Sequence, residues 1–385
     1  METHAARGAI QVVLCMDTEG PCDDPGNPQL LATWPRVEAA MDKLHAPAFR
    51  RSREDSFGNG LKIGWFFLTW TGFATNPRNR DFGYHHIRDR YLARWGSAMR
   101  SFGDEECWHY HHPPASGIGN EWGLDWNSSR EYAQILSRQI LERNWFPACY
   151  RAGGTIMDNI SSRWIDTWFP IDYSNRSPVN IPGETDWSRA PADWGTYRPD
   201  PGDYQRPGNG RRVLARCLDL RSRIYCLSEN DVTTAFESAA HGAMPILATF
   251  EHDYRDISNR VDEFRDMIRA VGARYPGISW RYATPSEAVC QQLGAGTPHE
   301  LRLDAKFTPS GVMITSSTKL FQEVPWIAIR HRSGDVTQAG SNIRTVSATS
   351  WVWNPPAGTA WTKAGIAGST SRGLSAVVSL ENPSQ

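Results

Sequence analysis

Four short segments of this 385-residue chain carry side chains that could hold a metal and move protons. Asp17-Thr18-Glu19 closes an apolar run, and because side chains alternate across a strand, both carboxylates emerge on one side. Two solvated loop acids would look the same, but in parallel α/β folds the carboxyl ends of buried strands are where ligands collect. Glu105-Glu106-Cys107-Trp108-His109-Tyr110-His111-His112 places three of the chain's 11 histidines within four positions, a density that favours ligation over a polar surface loop. Neutral imidazoles suit zinc and other divalent ions, and two histidines with one carboxylate make an open site with room for water. His109 and His111 share a face if the segment is extended; if it turns after Tyr110, His112 takes the place of His111. In Tyr150-Arg151-Ala152-Gly153-Gly154 the glycines allow a sharp turn and close approach of backbone to a substrate. Arg151 is then placed to pair with a carboxylate at the same end of the fold. His252, flanked by Glu251 and Asp253 after another apolar run, can act as a general acid or simply cap its strand. The pair His85-His86 opens a helix, where neighbouring side chains diverge, and reads as structural.

These residues need elements to position them. The first two thirds of the chain alternate apolar runs with helical spacing, the pattern of parallel strands joined by crossover helices. Strands are expected over 10–16, 62–69, 105–109, 146–150, 246–250 and 278–283, and helices over 34–44, 84–102, 231–241 and 259–273. Ser128-Ser129-Arg130-Glu131 has the form of a capping box and predicts a helix from there to Arg143. Thr284-Pro285-Ser286-Glu287 does the same for a last helix ending near Gly294. The stretch 176–209, rich in Pro, Gly, Asp, Trp and Arg, reads as a long irregular excursion. From about Pro298 the pattern changes to short alternating strands and Gly/Ser/Thr turns. Two domains are therefore expected, an α/β barrel over 1–295 and a small β-sandwich-like domain over 296–385, as suits a chain longer than one core usually spans.

Composition narrows the class. With 40% apolar and 22% charged residues the chain is globular in type, and its net charge of -1 gives no reason to expect nucleic acid. Clusters such as Arg50-Arg51 and Arg211-Arg212 are too short for a binding stripe. No run approaches a membrane-spanning helix. The start lacks the pattern of a signal peptide, and seven scattered cysteines without a CxxC pair read as reduced thiols, so a cytoplasmic protein is expected.

Taken together and in order, the four segments resemble the motifs of the polysaccharide deacetylase superfamily (NodB-homology, carbohydrate esterase family four). Leu14 to Gly20 is similar to its first motif, Gly64-Trp65-Phe66-Phe67 to the following strand, and Glu105 to His112 to the metal-histidine motif. Tyr150 to Gly154 resembles the third motif, Ile171-Asp172-Tyr173-Ser174 the fourth and Phe250-Glu251-His252 the last. The likeness covers about residues 9 to 293. It implies a distorted (β/α) barrel, followed here by the all-β domain, and hydrolysis of an N-acetyl amide by metal-activated water. On that likeness Glu19, His109 and His111 or His112 hold a divalent metal, zinc first and cobalt, nickel or manganese as alternatives. Asp17 is the base, Arg151 its partner, and His252 the acid for the leaving amine. An acetylated amino sugar, oligosaccharide or glycoconjugate is the expected substrate, with Trp108, Trp122, Trp126, Trp187 and Trp194 as candidates for stacking on sugar rings or for packing loops. A hydrolase of a non-sugar amide or imide, and a carbohydrate-binding protein without catalysis, are the competing readings. The C-terminal domain could bind glycan, brace the barrel or make a homo-oligomer.

Overall fold

A computed structural model describes residues 9–119, 121–221, 224–294, 300–355 and 360–382. Seven strands close into a parallel barrel: β1 (Ile10–Thr18), β2 (Gly64–Thr69), β3 (Glu105–Tyr110), β4 (Cys149–Ala152), β5 (Ile171–Asn175), β6 (Val213–Asp219) and β7 (Ile246–His252). They follow one another around the ring in chain order, β7 returns to β1, and each neighbouring pair is parallel. Trp280–Tyr282 adds to β1 in parallel and Thr196–Tyr197 to β6 in antiparallel. The fold is thus the α/β barrel expected from the alternation.

Period-two alternation decides what faces where. On β1, Ile10, Val12, Leu14 and Met16 turn outward onto the helices, while Val13 and Cys15 join the barrel interior. The interior row ends on Asp17. The same parity carries Cys107 to His109 on β3, Cys149 to Arg151 on β4, Cys217 to Asp219 on β6, and Ala248 and Phe250 to His252 on β7. Five strands therefore bring a polar side chain to one layer at the carboxyl end of the barrel, above a layer of apolar side chains and thiols.

Helices α1 (Trp34–His45), α2 (His86–Phe102), α3 (Glu131–Arg143), α4 (Asn159–Trp168), α5 (Glu229–Ala240), α6 (Ser258–Gly272) and α7 (Pro285–Gln292) surround the ring. Thr284 and Glu287 form the expected capping box of α7, and Ser228 with Asp231 forms one for α5. The box expected at Ser128 does not form. Its hydroxyl donates to Asp125 O in a turn, and α3 starts at Glu131 with no side-chain cap, because residues 123–130 are folded against His112 instead, Gly123 N donating to its carbonyl and Trp126 stacking on its ring. The excursion over 176–209 is less irregular than expected, carrying four two-residue strands and the five-residue strand Asp203–Pro207. α4 and β6 have no counterpart in the sequence reading; a buried Arg216 in the middle of β6 breaks the apolar pattern that marks the other strands.

Two antiparallel four-stranded sheets follow the barrel, in the orders Leu303–Thr308, Gly311–Ser316, Ser350–Trp353, Ile343–Ser347 and Val336–Gln338, Trp326–His331, Trp361–Ser369, Ser375–Glu381. The boundary expected at 295–296 lies outside the described residues. The second sheet packs on α3: Trp326 Nε1 donates to Ser137 Oγ at 3.1 Å and Arg330 pairs with Glu142 at 2.6 Å. One hydrophobic core runs from the outer faces of Trp108 and Tyr150 through α3 to Trp326 and Ala367. Among the described residues no helix is long and apolar enough to cross a membrane, and none of the seven cysteines is in a disulfide.

At the end of α1, His45 is stacked between Trp65 (4.7 Å) and Trp95 (5.0 Å), and neither ring nitrogen has a hydrogen-bond partner. Burial, and after it the Arg50 guanidinium, lowers its pKa to about 3. The unfolded chain takes up this proton near pH ~6.5, so stability falls as pH drops through the window below that value, by at most about 1.4 kcal/mol per pH unit from this group. His45→Phe keeps the stack and removes the titration. In urea unfolding it is expected to gain on the wild type between about pH 7 and about pH 4.5; an equal difference at both pH values would exclude the effect.

Candidate metal and proton-transfer site

The carboxyl end of the barrel brings six of the seven candidate residues into one cluster. Asp17 and Arg151 meet there, Arg151 Nη1 donating to Asp17 Oδ2, with both side chains almost fully buried. The guanidinium carbon lies 3.6 Å from the centre of the Phe250 ring. That apolar and aromatic floor excludes water, so each charge depends on the other. Asp17 Oδ1 has no partner although it is buried.

Glu19 sits one residue beyond β1, where the chain bends at Gly20 in the left-handed region (φ 70°) against the ring of Trp34. The bend is held from β7: Asp253 accepts from the amides of Glu19 (2.8 Å) and Gly20 (3.0 Å) and from Tyr91 Oη (2.8 Å). Burial pushes the Asp253 carboxyl up to about 6 against these hydrogen bonds. Glu19 Oε2 pairs with Arg80 at 3.0 Å, leaving Oε1 to face the histidines. Burial raises the Glu19 carboxyl, but Arg80 and then the hydrogen bonds of His109 and His111 outweigh it and hold it well below the usual range.

His109 ends the interior row of β3, and its Nδ1 lies 3.0 Å from the carbonyl of Arg151. Nδ1 is therefore the protonated nitrogen, and Nε2 presents a lone pair to the cluster. His111 follows after a bend, stacked on Trp70 (5.5 Å) and edge-on to Trp122 (4.0 Å). Burial, against the pull of Glu19, lowers its pKa to about 4, so the ring is neutral. Gly153 makes room for it: a Cβ there would lie 2.3 Å from the His111 ring. The glycines after Arg151 thus admit a histidine, where the sequence read them as room for a substrate.

Glu19 Oε1, His109 Nε2 and His111 Nε2 are 3.6, 3.5 and 3.2 Å apart. Bonds of ~2.0–2.1 Å in tetrahedral geometry separate ligand atoms by about 3.3 Å, so this buried donor set fits zinc or another divalent ion of similar size. The choice left open between His111 and His112 is decided by packing. His112 turns the other way, its Nδ1 2.8 Å from Pro113 O and its ring stacked on Trp126 (5.4 Å), outside the cluster.

His252 closes the cluster from β7, in register with Asp17. Its Nε2 lies 3.8 Å from Asp17 Oδ2 and 3.7 Å from Glu19 Oε1, while Nδ1 accepts from Arg255 at 3.1 Å, which places the proton of the neutral ring on Nε2. Burial lowers its pKa, and Glu251, Glu19 and Asp17 outweigh that, leaving it above its ordinary value. Among the six it is the most exposed, with 16% of its side chain accessible. Of the five tryptophans considered for sugar stacking, Trp108, Trp126, Trp187 and Trp194 are buried in packing and only Trp122 lines the cluster. Arg80 and Arg255 were not foreseen, and Asp253 was read only as an acid flanking His252, not as the clamp on the Glu19 and Gly20 amides. Arg80 comes from the loop after β2 with no local signal, whereas Arg255 stands close enough to His252 in sequence to have been considered.

No family model matches the chain, and no curated protein matches it. Among solved structures, a peptidoglycan N-acetylglucosamine deacetylase in complex with 4-naphthalen-1-yl-N-oxidanyl-benzamide is similar at 10% identity, over 76% of this chain and 92% of that one, with a TM-score of 0.29. A likeness that distant bears on neither reaction nor substrate.

Two substitutions separate the adjacent histidines. His111→Ala is expected to lose the metal, as is Gly153→Ala by about 10–100-fold in affinity, since both disturb the same ligand. His112→Ala should keep the metal and lower stability by about 1–3 kcal/mol through lost packing. Elemental analysis and urea unfolding of the three variants check this; metal loss in the His112 variant alone would reverse the assignment.

Proposed function

We propose that this barrel is a metal-dependent amide hydrolase that removes an N-acetyl group from an amino sugar or glycoconjugate. The observation that carries the reading is the placement of a buried, arginine-paired carboxylate and a histidine beside a two-histidine, one-carboxylate donor set, Asp17 Oδ2 lying 3.9 Å from His109 Nε2 and His252 Nε2 3.7 Å from Glu19 Oε1. Glu19, His109 and His111 would hold a divalent cation, which when bound supplies Lewis-acid polarisation of a carbonyl and acidifies water.

The chain's own groups account for the proton movements. Arg151 occupies Oδ2 of Asp17 and orients the carboxylate, so the unpartnered Oδ1 is the available proton acceptor. Removing a proton from the attacking water is the work of a base within hydrogen-bond reach, and Asp17 is the carboxylate left with a free oxygen. His252 approaches from the neighbouring strand β7 with Nε2–H directed into the cluster, and Arg255 and Glu251 keep the ring in that orientation. An amine is expelled as a neutral leaving group only if its nitrogen is protonated, which gives His252 the role of general acid.

The aromatic wall of Trp70, Phe73, Phe82 and Trp122 over His111 supports a substrate that presents an apolar or ring face beside a polar head. With the other five groups buried, the approach along His252 suits a small acetylated compound or chain end.

Acetate release from a panel of N-acetyl sugars, set beside linear and cyclic non-sugar amides, tests the reaction and separates it from imide hydrolysis. Activity is expected to vanish on exhaustive chelation and return with zinc or cobalt. Asp17→Asn should lower turnover by about 10²–10⁴-fold with metal content retained. Full activity after chelation, or in the Asp17 variant, would overturn the proposal; sugar binding without acetate release would favour a carbohydrate-binding protein.

A further inference from the structure

One layer below the proposed centre, the barrel interior holds donors that the hydrolytic reading does not use. Cys15, Cys107, Cys149 and Cys217 all face inward and are fully buried. Thiols fill space as small apolar groups do, so burial alone assigns them nothing. Cys107 and Cys149 differ from the rest in having a third donor beside them. Trp108 and Tyr150 are register partners on β3 and β4, so the residues before them, Cys107 and Cys149, lie side by side. Glu105 stands two residues before Cys107 and shares its inward face. A carboxylate oxygen of Glu105 and the two sulfur atoms all lie within 4.8 Å of one another.

The carboxylate is already oriented. Ser286 at the start of α7 donates to it through its amide at 2.8 Å and through its hydroxyl. Two donated bonds leave further lone pairs on a group with about four acceptor positions. Nor is the group sealed off: Glu105 and Ser286 line a cavity of about 640 Å³ at the amino end of the barrel, with Gln11, Thr284 and Cys290. His109 lies two residues beyond Cys107 and four beyond Glu105 on β3, so the nearer donor of this set is about 6.6 Å and Glu105 about 13 Å along the strand from it at ~3.3 Å per residue.

We infer that Glu105, Cys107 and Cys149 form a second cation site, selective for thiophilic divalent ions such as zinc or cadmium. Two sulfurs and one oxygen are a soft donor set that disfavours magnesium and calcium, and three protein donors leave one position for water arriving through the cavity. In the free protein both sulfurs are neutral thiols. Uptake of one M²⁺ forms two metal–sulfur bonds, breaks two S–H bonds and releases two protons, with no change of oxidation state. Bound there, an ion would tie β3 to β4 and, through Ser286, to α7 at the end of the barrel remote from the chemistry.

Cadmium titration of the chelator-stripped, full-length chain tests this. Thiolate ligation produces an ultraviolet charge-transfer band, which Glu19, His109 and His111 cannot give because they contain no sulfur. The band is expected to saturate within two equivalents, the other ion going to Glu19, His109 and His111, to disappear in Cys107→Ser/Cys149→Ser, and to persist in Cys15→Ser/Cys217→Ser. Total bound metal should fall by one ion per chain in the first double variant. Should that variant fail to fold, Glu105→Gln keeps both thiols and is expected to weaken cadmium binding by at least about tenfold. No band with the wild-type chain, a band that survives loss of Cys107 and Cys149, or cadmium affinity unchanged in Glu105→Gln would each overturn the site.

Discussion

The buried ion pair between Asp17 and Arg151 is the constraint from which the rest of this structure follows. Removing two charges from water costs several kcal/mol each, and the cost is offset only when geometry and further polar contacts are well made. The pair spans the barrel from β1 to β4, so it requires closure of the ring as well as correct strand register. A slip of one residue on either strand would turn Asp17 or Arg151 outward into the helix layer. The same rule repeats elsewhere in the molecule. Arg50 pairs with Asp104, Arg80 with Glu19, Arg212 with Asp172, and Arg216 with Asp231.

Around that pair further contacts fix each side chain of the cluster. Asp253 grips two consecutive amides so that Glu19 turns inward, Arg80 takes one of its oxygens, and the carbonyl of Arg151 sets the tautomer of His109. One arginine therefore acts twice, its side chain on Asp17 and its backbone on His109. Groups held in this way need little reorganisation when charge develops beside them, which is the physical basis of preorganised electrostatics. The cost is a set of buried atoms left without partners, Asp17 Oδ1 and His111 Nδ1 among them, as is common where a site awaits a ligand.

The β-sheets after the barrel belong to the same mechanical unit. α3 is buried on one side by the barrel strands and on the other by the sheet containing Trp326. Tyr132 on that helix stacks on Trp126, and Trp126 in turn holds His112. Trp164 joins Tyr132 to Trp326, so a chain of aromatic contacts runs from the sheet containing Trp326 to the loop that carries the histidines, which ties the orientation of that loop to packing far from it.

Much of the site was legible in the sequence because strand periodicity is local. An apolar run ending in Asp17, Arg151 or His252 already states which end of the strand is polar, and parity states which face. The helix box at Thr284 was equally local, since a cap is made by residues three apart. What the sequence left open was decided by contacts between residues far apart in the chain. His111 rather than His112 enters the cluster because Gly153 vacates the space and Trp126 claims the neighbouring ring. Ser128 fails as a cap because its loop is engaged elsewhere, and Arg80 reaches Glu19 across 61 positions. β6, essential to closing the barrel, was hidden by Arg216, whose charge is neutralised by Asp231 from the following helix. Sequence determined which residue types stand at strand ends and on which face. Only the closed fold determined which of them meet, because whether a charge or a ring can be buried depends on the partner that packing brings to it.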